Sequence, residues 1–403
     1  MKPWWNANGV QRLLIDLTAA ELARLQPGMR RFAPLPEISD SRQINLALSQ
    51  DIAALELDSL EYLDLVTAVV VQFHLHETGL EDRLFRQRHL ADWVGTVLDS
   101  RAIWDDAISF QTSGSTAQPK LCTHQMRLLE EEIAFFAGQL HDRQRVLSAV
   151  PAHHIYGFLF SVMLPAWLEI NVLDVRDALP VTVLRQAQPG DLIIGHPTFF
   201  DLATRAPLSV ASDVMAVSST VHCPESIWER LGASGITRLI EVYGASETAG
   251  IGVREMHDDP LQLLPCWSRD AGSDERILRV SPGGVPLAVV LPDHVRWLDA
   301  DRFQVTRRRD GAVQVGGVNV FPGRVQECLC QHPDVTAALV RLGDSGRLKA
   351  FVVPDPMCQD PEQLTERLHH WLAGRLSAPE QPRAITVGAQ LPHSALGKLA
   401  DWD

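Results

Sequence analysis

From Ile103 onward, short apolar runs alternate with helical stretches, and that alternation leaves few architectures open to the chain. Runs at 146–151, 192–194, 214–217 and 238–243 are strand-like, while stretches such as MRLLEEEIAFFAGQL carry apolar residues at helical spacing. Strands separated by helices build a layered α/β domain around a largely parallel sheet. Beyond residue 310 the pattern shortens to a helix at 322–331, strands at 337–341 and 349–353, a helix at 363–376 and a last strand at 384–388, a small α+β unit. The first 98 residues are mostly helical instead. Positions 10–24 have helical periodicity, Pro27–Gly28 breaks the run, RFAPLPEISDSRQ is a loop, and ALELDSLEYLDLVTAVVVQF is a strongly apolar helix opening at Asp58–Ser59. LADWVGTVL closes this stretch. The expected division is therefore 1–98, 99–309 and 310–403, in line with a length of 403 residues.

Charge narrows the partners. With 50 acidic against 36 basic residues, the net charge of −14 disfavours a nucleic-acid backbone or an anionic membrane surface. No apolar run reaches the roughly 20 residues that span a bilayer. MKPWWNANGVQR lacks a charged head followed by an apolar core, so no secretory signal is expected and the location is expected to be cytoplasmic. The six cysteines form no C-x-x-C, and the close pair Cys328 and Cys330 has no zinc-finger partners. Reduced thiols are expected, and no cysteine metal site.

Three segments carry chemistry. FQTSGSTAQPK follows an apolar strand and gathers hydroxyls, Gly114 and Lys120 into a few residues. Small residues let backbone N–H groups approach a phosphate, hydroxyls donate to it, and the lysine adds a point charge. The run does not fit the Walker A spacing, and a Ser/Thr-rich surface turn is the plain alternative. VYGASETAG also follows an apolar strand and sets an aromatic, a glycine, a hydroxyl and a carboxylate at the strand's C-terminal end, where open α/β sheets bind ligands. A glutamate there suits Mg²⁺, which takes oxygen ligands and holds nucleotide phosphates; a helix-start carboxylate is the alternative. Finally, LPHSALGKLADWD places Lys398 on a glycine-containing loop.

TSGSTAQPK, VYGASETAG, RRRDGAVQVGGVNVFP and LPHSALGK, in this order, resemble the motifs of the adenylate-forming superfamily, which includes acyl- and aryl-CoA synthetases, peptide-synthetase adenylation domains and luciferases. The resemblance implies a layered adenylation core and a mobile C-terminal lid, to which GRLKAFVVP is also similar. It implies that Thr112, Ser113, Gly114, Ser115, Thr116 and Lys120 form the phosphate loop, although Ala117 stands where the family usually has a second glycine. It implies that Tyr243 packs on adenine beside Gly244, that Ser246 contacts phosphate and that Glu247 binds magnesium. Asp293 and Arg308 match the ribose contacts, though the family's T-G-D context is missing at Asp293. Asp310 matches the hinge and Lys398 the lysine of the adenylation step. A carboxylate attacking the α-phosphate of ATP builds negative charge that a lysine and Mg²⁺ stabilise, and a lid movement then admits a thiol.

PAHHIYG resembles the hydroxycinnamate- and benzoate-activating branch, which implies that His154 and Tyr156 line the acid pocket. IIGHPTFF adds His196 and Phe199, and SSTVHCP adds Ser219 and Thr220. Most of the family's N-terminal subdomain is missing, and LELDSLEYLDLVTAVVVQF resembles an acyl carrier around its D-S-L attachment site, implying 4′-phosphopantetheine on Ser59. The other reading is that Ser59 caps a helix. The expected activity is ATP- and Mg²⁺-dependent activation of a small aromatic carboxylic acid and its transfer to the thiol of CoA or of a carrier protein, with a phosphopantetheinyl transferase as partner in the carrier case. The rival is a nucleotide-binding or carrier scaffold without catalysis, against which Glu247 and Lys398 together speak. No G-x-S-x-G is present for a serine hydrolase.

Overall fold

In a computed structural model of the chain, the residues described are 2–25, 57–112, 120–279, 286–309, 311–316, 318–358, 360, 363–392 and 400–402. Two compact units result. The first comprises the described residues through Leu291 together with Val295–Gln304; the second comprises Pro292–His294 and the described residues from Val305 on.

Among the described residues, the first unit opens with α1 (Ala7–Leu25), α2 (Ser59–Phe73), α3 (Glu81–Arg86) and α4 (Leu90–Ile103). Asp58 starts α2 through a capping box. Its carboxylate accepts from the N–H groups of Leu60 (2.8 Å) and Glu61 (2.9 Å), while the Glu61 side chain accepts from the Asp58 N–H at 2.9 Å. The apolar stripe of α2, including Leu65, Val66, Val69 and Phe73, is buried. It is buried in the core that also holds Phe110, Phe136, Phe158 and Ile240. Trp5 makes the join, packing against Phe73 (6.3 Å between ring centres) and Phe158 (5.9 Å), and Phe158 continues to Phe110 at 5.5 Å. Buried Arg101 stacks over Trp5 at 4.5 Å and donates to the Ala107 carbonyl at 2.7 Å. These helices share one core with the residues that follow, so no structural boundary falls near residue 98.

Strands β1 (Ala107–Thr112) and β2 (Lys120–Gln125) pair as an antiparallel hairpin, and helix α5 (Met126–Gln139) follows directly. The expected alternation then unfolds as β3 (Arg145–Ser148), helices α6 (Ile155–Phe158) and α7 (Leu164–Leu168) joined by a π-helical turn, β4 (Asn171–Asp174), α8 (Pro180–Gln186), β5 (Asp191–Gly195), α9 (Pro197–Ala203), β6 (Met215–Ser218), α10 (Glu225–Ser234) and β7 (Arg238–Ala245). Strands β4, β3, β5, β6 and β7 lie side by side and parallel. Strands β8 (Ala249–Arg254) and β9 (Leu261–Leu263) extend the sheet antiparallel. One sheet face packs on the large core already described, and the other on a second cluster including Leu184, Phe200, Ala216 and Leu231. Val, Ile and Leu fill the central strands because both faces are covered. A small sheet of β10 (Trp267–Arg269), β11 (Arg276–Arg279) and β12 (Leu287–Val290) is followed by β13 (Asp293–Trp297) and β14 (Arg302–Arg308), which lie at the edge of the nine-stranded sheet.

The second unit contains the hairpin of β15 (Val313–Val315) and β16 (Val318–Val320), then α11 (Pro322–Cys330), β17 (Val335–Leu342), β18 (Leu348–Pro354), α12 (Leu364–Ala373) and β19 (Ala384–Val387). Strand β18 pairs antiparallel with β17 and parallel with β19. Val325, Leu329, Val340, Val352, Leu368 and Leu372 form its own core, and the Trp371 indole donates to the Cys328 carbonyl at 3.0 Å. This is the expected α+β unit. Among the described residues no helix is long and apolar enough to cross a membrane.

Candidate active site

The parallel strands end along one edge of the sheet, and the second motif sits there. Strand β7 turns back into β8 through Ser246, Glu247 and Thr248, so Glu247 stands at the tip of a hairpin and not at a helix start. The Thr248 hydroxyl braces this turn, accepting from the Ala245 N–H at 3.1 Å and lying 3.0 Å from the Ala249 carbonyl. Gly244 is required by the close approach of the two strands. A Cβ at this position would meet the Ala249 carbonyl oxygen at 2.1 Å.

Across the turn lies the first residue of β2. Lys120 Nζ donates to Glu247 Oε1 at 3.0 Å, and this bond raises the lysine pKa. Both side chains are exposed, so the pair presents its charges to solvent. Four residues further along the same strand, His124 Nε2 lies 2.7 Å from the Ser246 carbonyl; a carbonyl only accepts, so this nitrogen carries the proton. Burial lowers the His124 pKa and keeps the ring neutral. Cys122, between them, is buried and its thiol is pushed up to about 11, first by desolvation and then by Glu247. Tyr243 is half-buried and set edge-on to Phe303, with ring centres 5.6 Å apart, which fixes one face of a flat apolar wall.

Glu132 lies beneath the turn. It is wholly buried on α5, and both its oxygens are 3.1 Å from the Gly250 N–H. Desolvation pushes this carboxyl up to about 7, against the pull of Arg279 and of the Gly250 hydrogen bond. The Arg279 guanidinium in turn donates to the Leu128 carbonyl (2.6 Å), to Glu131 (3.2 Å) and to Cys266 Sγ (2.8 Å).

The acid-pocket candidates lie on neighbouring strand ends. The Tyr156 hydroxyl is 3.0 Å from the carbonyls of Gly195 and Val217, at the ends of β5 and β6. Desolvation holds this phenol well above its ordinary pKa. His196 follows Gly195 and caps α9, its Nδ1 accepting from the Phe199 N–H at 3.4 Å. His154 lies against His153, with ring centres 4.1 Å apart and planes tilted by 41°. The His154 side chain is exposed, and desolvation by the surrounding protein lowers its pKa. Gly157 lets this segment close up, because a Cβ there would meet the Pro151 carbonyl oxygen at 1.9 Å. Ser219 Oγ donates to the Val242 carbonyl at 2.8 Å, and Thr220 has a left-handed backbone with φ of 80°.

The structure thus gathers Lys120, Ser246, Glu247 and Tyr243 around one hairpin. Ser113, Gly114, Ser115, Thr116, Asp310 and Lys398 lie outside the described residues, as do the side chains of Thr112 and Arg308. In the second unit, Asp293 is buried at the start of β13, and its carbonyl accepts from Arg309 Nε at 3.4 Å. Ser59 is exposed at the first turn of α2, where Asp58 and not Ser59 provides the cap.

Sequence reasoning passed over His124 and Glu132. Glu132 was detectable, because it falls three residues after Leu129 and four before Phe136, on the buried face of an amphipathic helix.

Residues 47–323 match the AMP-binding enzyme family. The chain belongs to that family. A 4-coumarate–CoA ligase of Halorhodospira halophila is 36% identical over 401 residues, covering 98% of this chain and 99% of the relative. One from Rhodobacter capsulatus is 37% identical over 409 residues, covering 98% and 100%. The short N-terminal region is therefore shared with relatives matched almost end to end. Among solved structures, an o-succinylbenzoate CoA synthetase of Bacillus subtilis superimposes with a TM-score of 0.57 at 19% identity, over 73% of this chain and 68% of that one. An amide bond synthetase of Marinactinospora thermotolerans gives 0.56 at 22%, over 72% and 67%. The mixed α/β fold is that of the adenylate-forming enzymes.

Proposed function

We propose that this AMP-binding enzyme joins an aromatic carboxylic acid of the hydroxycinnamate type to CoA. In the first half-reaction a carboxylate oxygen attacks the α-phosphorus of ATP, the bond to the β-phosphate breaks, and pyrophosphate leaves. In the second, the CoA thiolate attacks the acyl carbonyl and AMP leaves. The observation that carries the reading is the 3.0 Å pair of Lys120 and Glu247, which brings the end of the hydroxyl-rich loop against the VYGASETAG turn. The end-to-end similarity to two 4-coumarate–CoA ligases supports the substrate class.

In this reading Thr112, Ser113, Gly114, Ser115 and Thr116 cradle the phosphates with Lys120, and Ser246 adds a contact. Tyr243 and Gly244 offer adenine a flat wall, while Asp293 and Arg308 take the ribose. His154, Tyr156 and His196 belong to the acid pocket. The exposed Glu247 carboxylate fits Mg²⁺, a hard cation held by one or two carboxylates together with substrate phosphates. Bound there, Mg²⁺ neutralises phosphate charge. Lys398 stabilises the charge that builds during adenylation, and Asp310 is the hinge between half-reactions.

Free CoA is the acceptor in this proposal, and Ser59 carries no phosphopantetheine, because its helix is built into the core through Phe73 and Val69. A cytoplasmic location belongs to the same proposal and accords with six unpaired cysteines. The test is acid-dependent exchange of pyrophosphate into ATP, followed by AMP release on adding CoA. Exchange with 4-coumarate but not with alkyl acids is expected. Exchange that ignores the acid would overturn the reading.

A further inference from the structure

Asp16 lies on α1, more than a hundred residues before the segment it touches. Its carboxylate is buried and both oxygens are engaged. Oδ2 accepts from the Ala152 N–H at 2.6 Å, and Oδ1 pairs with the Arg176 guanidinium. Arg176 Nε also donates to both oxygens of Asp174 at 3.0 Å, at the end of β4. One helical turn before Asp16, Arg12 donates to the Ser161 carbonyl at 2.6 Å. Two cations and two anions therefore form a charge-balanced cluster at the edge where β3 and β4 end, closed by the bond from the Val175 N–H to the Ser148 carbonyl at 2.9 Å.

Such a cluster is a poor way to gain stability. Desolvation raises the Asp16 pKa and lowers that of Arg12, so the partners mainly offset the cost of burial. What a buried ionic cluster does supply is fixed geometry. Here the fixed point is Ala152, and the residues that follow are His153, His154 and Tyr156. Arg176 also faces His153 and, after desolvation and His154, helps to hold that ring neutral.

We infer that Asp16 is a positioning residue for the acid pocket: by clamping Ala152 it sets where the His153–Tyr156 segment stands, and so how the aromatic acid is received. The inference rests on the acid-pocket reading above. It gives the first helix a role in substrate binding although none of its residues lies near the phosphate-binding motifs in sequence.

The test uses the full chain with Asp16→Ala and Asp16→Asn. Hydrogen–deuterium exchange over residues 150–158 and the KM values for 4-coumarate and for ATP are measured together. Asp16→Ala is expected to deprotect the segment and to raise the acid KM about tenfold, one lost charge-assisted bond, while the ATP KM stays within about twofold. Asp16→Asn keeps an oxygen for Ala152 and is expected to restore most of the protection and acid affinity. Should Asp16→Ala not fold, Asp16→Asn is compared with Arg176→Gln, which leaves the Ala152 bond and is expected to cost less in acid KM than loss of the clamp. Unchanged protection in every variant, or equal rises in both KM values, overturns the inference alone. Deprotection with an unchanged acid KM removes the acid from this segment and overturns it as well. Absence of acid-dependent exchange in the wild type brings down the functional reading and this inference with it.

Discussion

The backbone N–H of Gly250 lies 3.1 Å from each carboxylate oxygen of Glu132, so a wholly buried acid underpins the hairpin that carries Glu247. The fit leaves no room, since a Cβ at Gly250 would stand 2.4 Å from Glu132 Oε1.

This contact gives stability a pH dependence whose sign is fixed. The Glu132 carboxyl is held near 7 in the fold against 4.5 when unfolded, so the folded state binds the proton more tightly. Its contribution is favourable and complete below about pH 4.5, and is lost as pH rises through 7; ionising it costs the fold about 3 kcal/mol. Glu132→Gln retains an acceptor for Gly250 and cannot ionise. Urea unfolding at pH 5.5 and 8 should show the wild type losing stability across that interval and the variant losing much less. Equal slopes would refute the assignment.

Lys120 and Glu247 separate stability from activity. Their pair is exposed, and exposed pairs contribute at most about 1 kcal/mol. Lys120→Ala and Glu247→Gln should each leave the Tm nearly unchanged while slowing pyrophosphate exchange about 10²–10³-fold. A large Tm loss with intact exchange would reverse the roles.

Lys398→Ala should abolish adenylate formation, with a loss of about 10²–10³ in rate, and leave ATP affinity within a few-fold. Equilibrium ATP binding beside the exchange assay separates the two effects. Undiminished exchange in this variant excludes Lys398 from the chemistry.

Asp58 and Ser59 make a matched pair of controls. Asp58→Ala removes the capping box and should cost about 1 kcal/mol by chemical denaturation. Ser59→Ala should alter neither stability nor CoA-ligase rate. Incubated with CoA and a broad phosphopantetheinyl transferase, the wild type should show no added mass by intact-mass spectrometry. A single added arm, absent from Ser59→Ala, would restore the carrier reading.

The alternation after Ile103 was legible because buried strands such as Leu192–Ile194 are continuous apolar runs bounded by turns. Asp58 was legible as a helix start for a local reason, its reach to Leu60 and Glu61. The association of α2 with Trp5 and Phe158 was not, because an apolar stripe reports that a face is buried and not what buries it. Glu247 was found by its motif, yet its setting on a hairpin depends on the Gly244–Ala249 approach, which no local pattern encodes. His124 and Asp16 escaped because their partners, Ser246 for the first and Ala152 and Arg176 for the second, are distant in sequence.

Asp16 and Arg176 are 160 positions apart, and that interval has a consequence in time. At about 5–20 residues per second, roughly 10–30 seconds of synthesis separate the emergence of the two partners. Throughout that interval the Asp16 carboxylate lacks its Arg176 partner, although α2 and α4, the main packing partners of α1, are made within it. Closing so long a loop costs about 4 kcal/mol in chain entropy before the contact forms. The core around Leu13, Leu14 and Leu17 therefore has its helical partners α2 and α4 before the Asp16 clamp closes, and the growing chain holds that carboxylate without its guanidinium until β4 has been made.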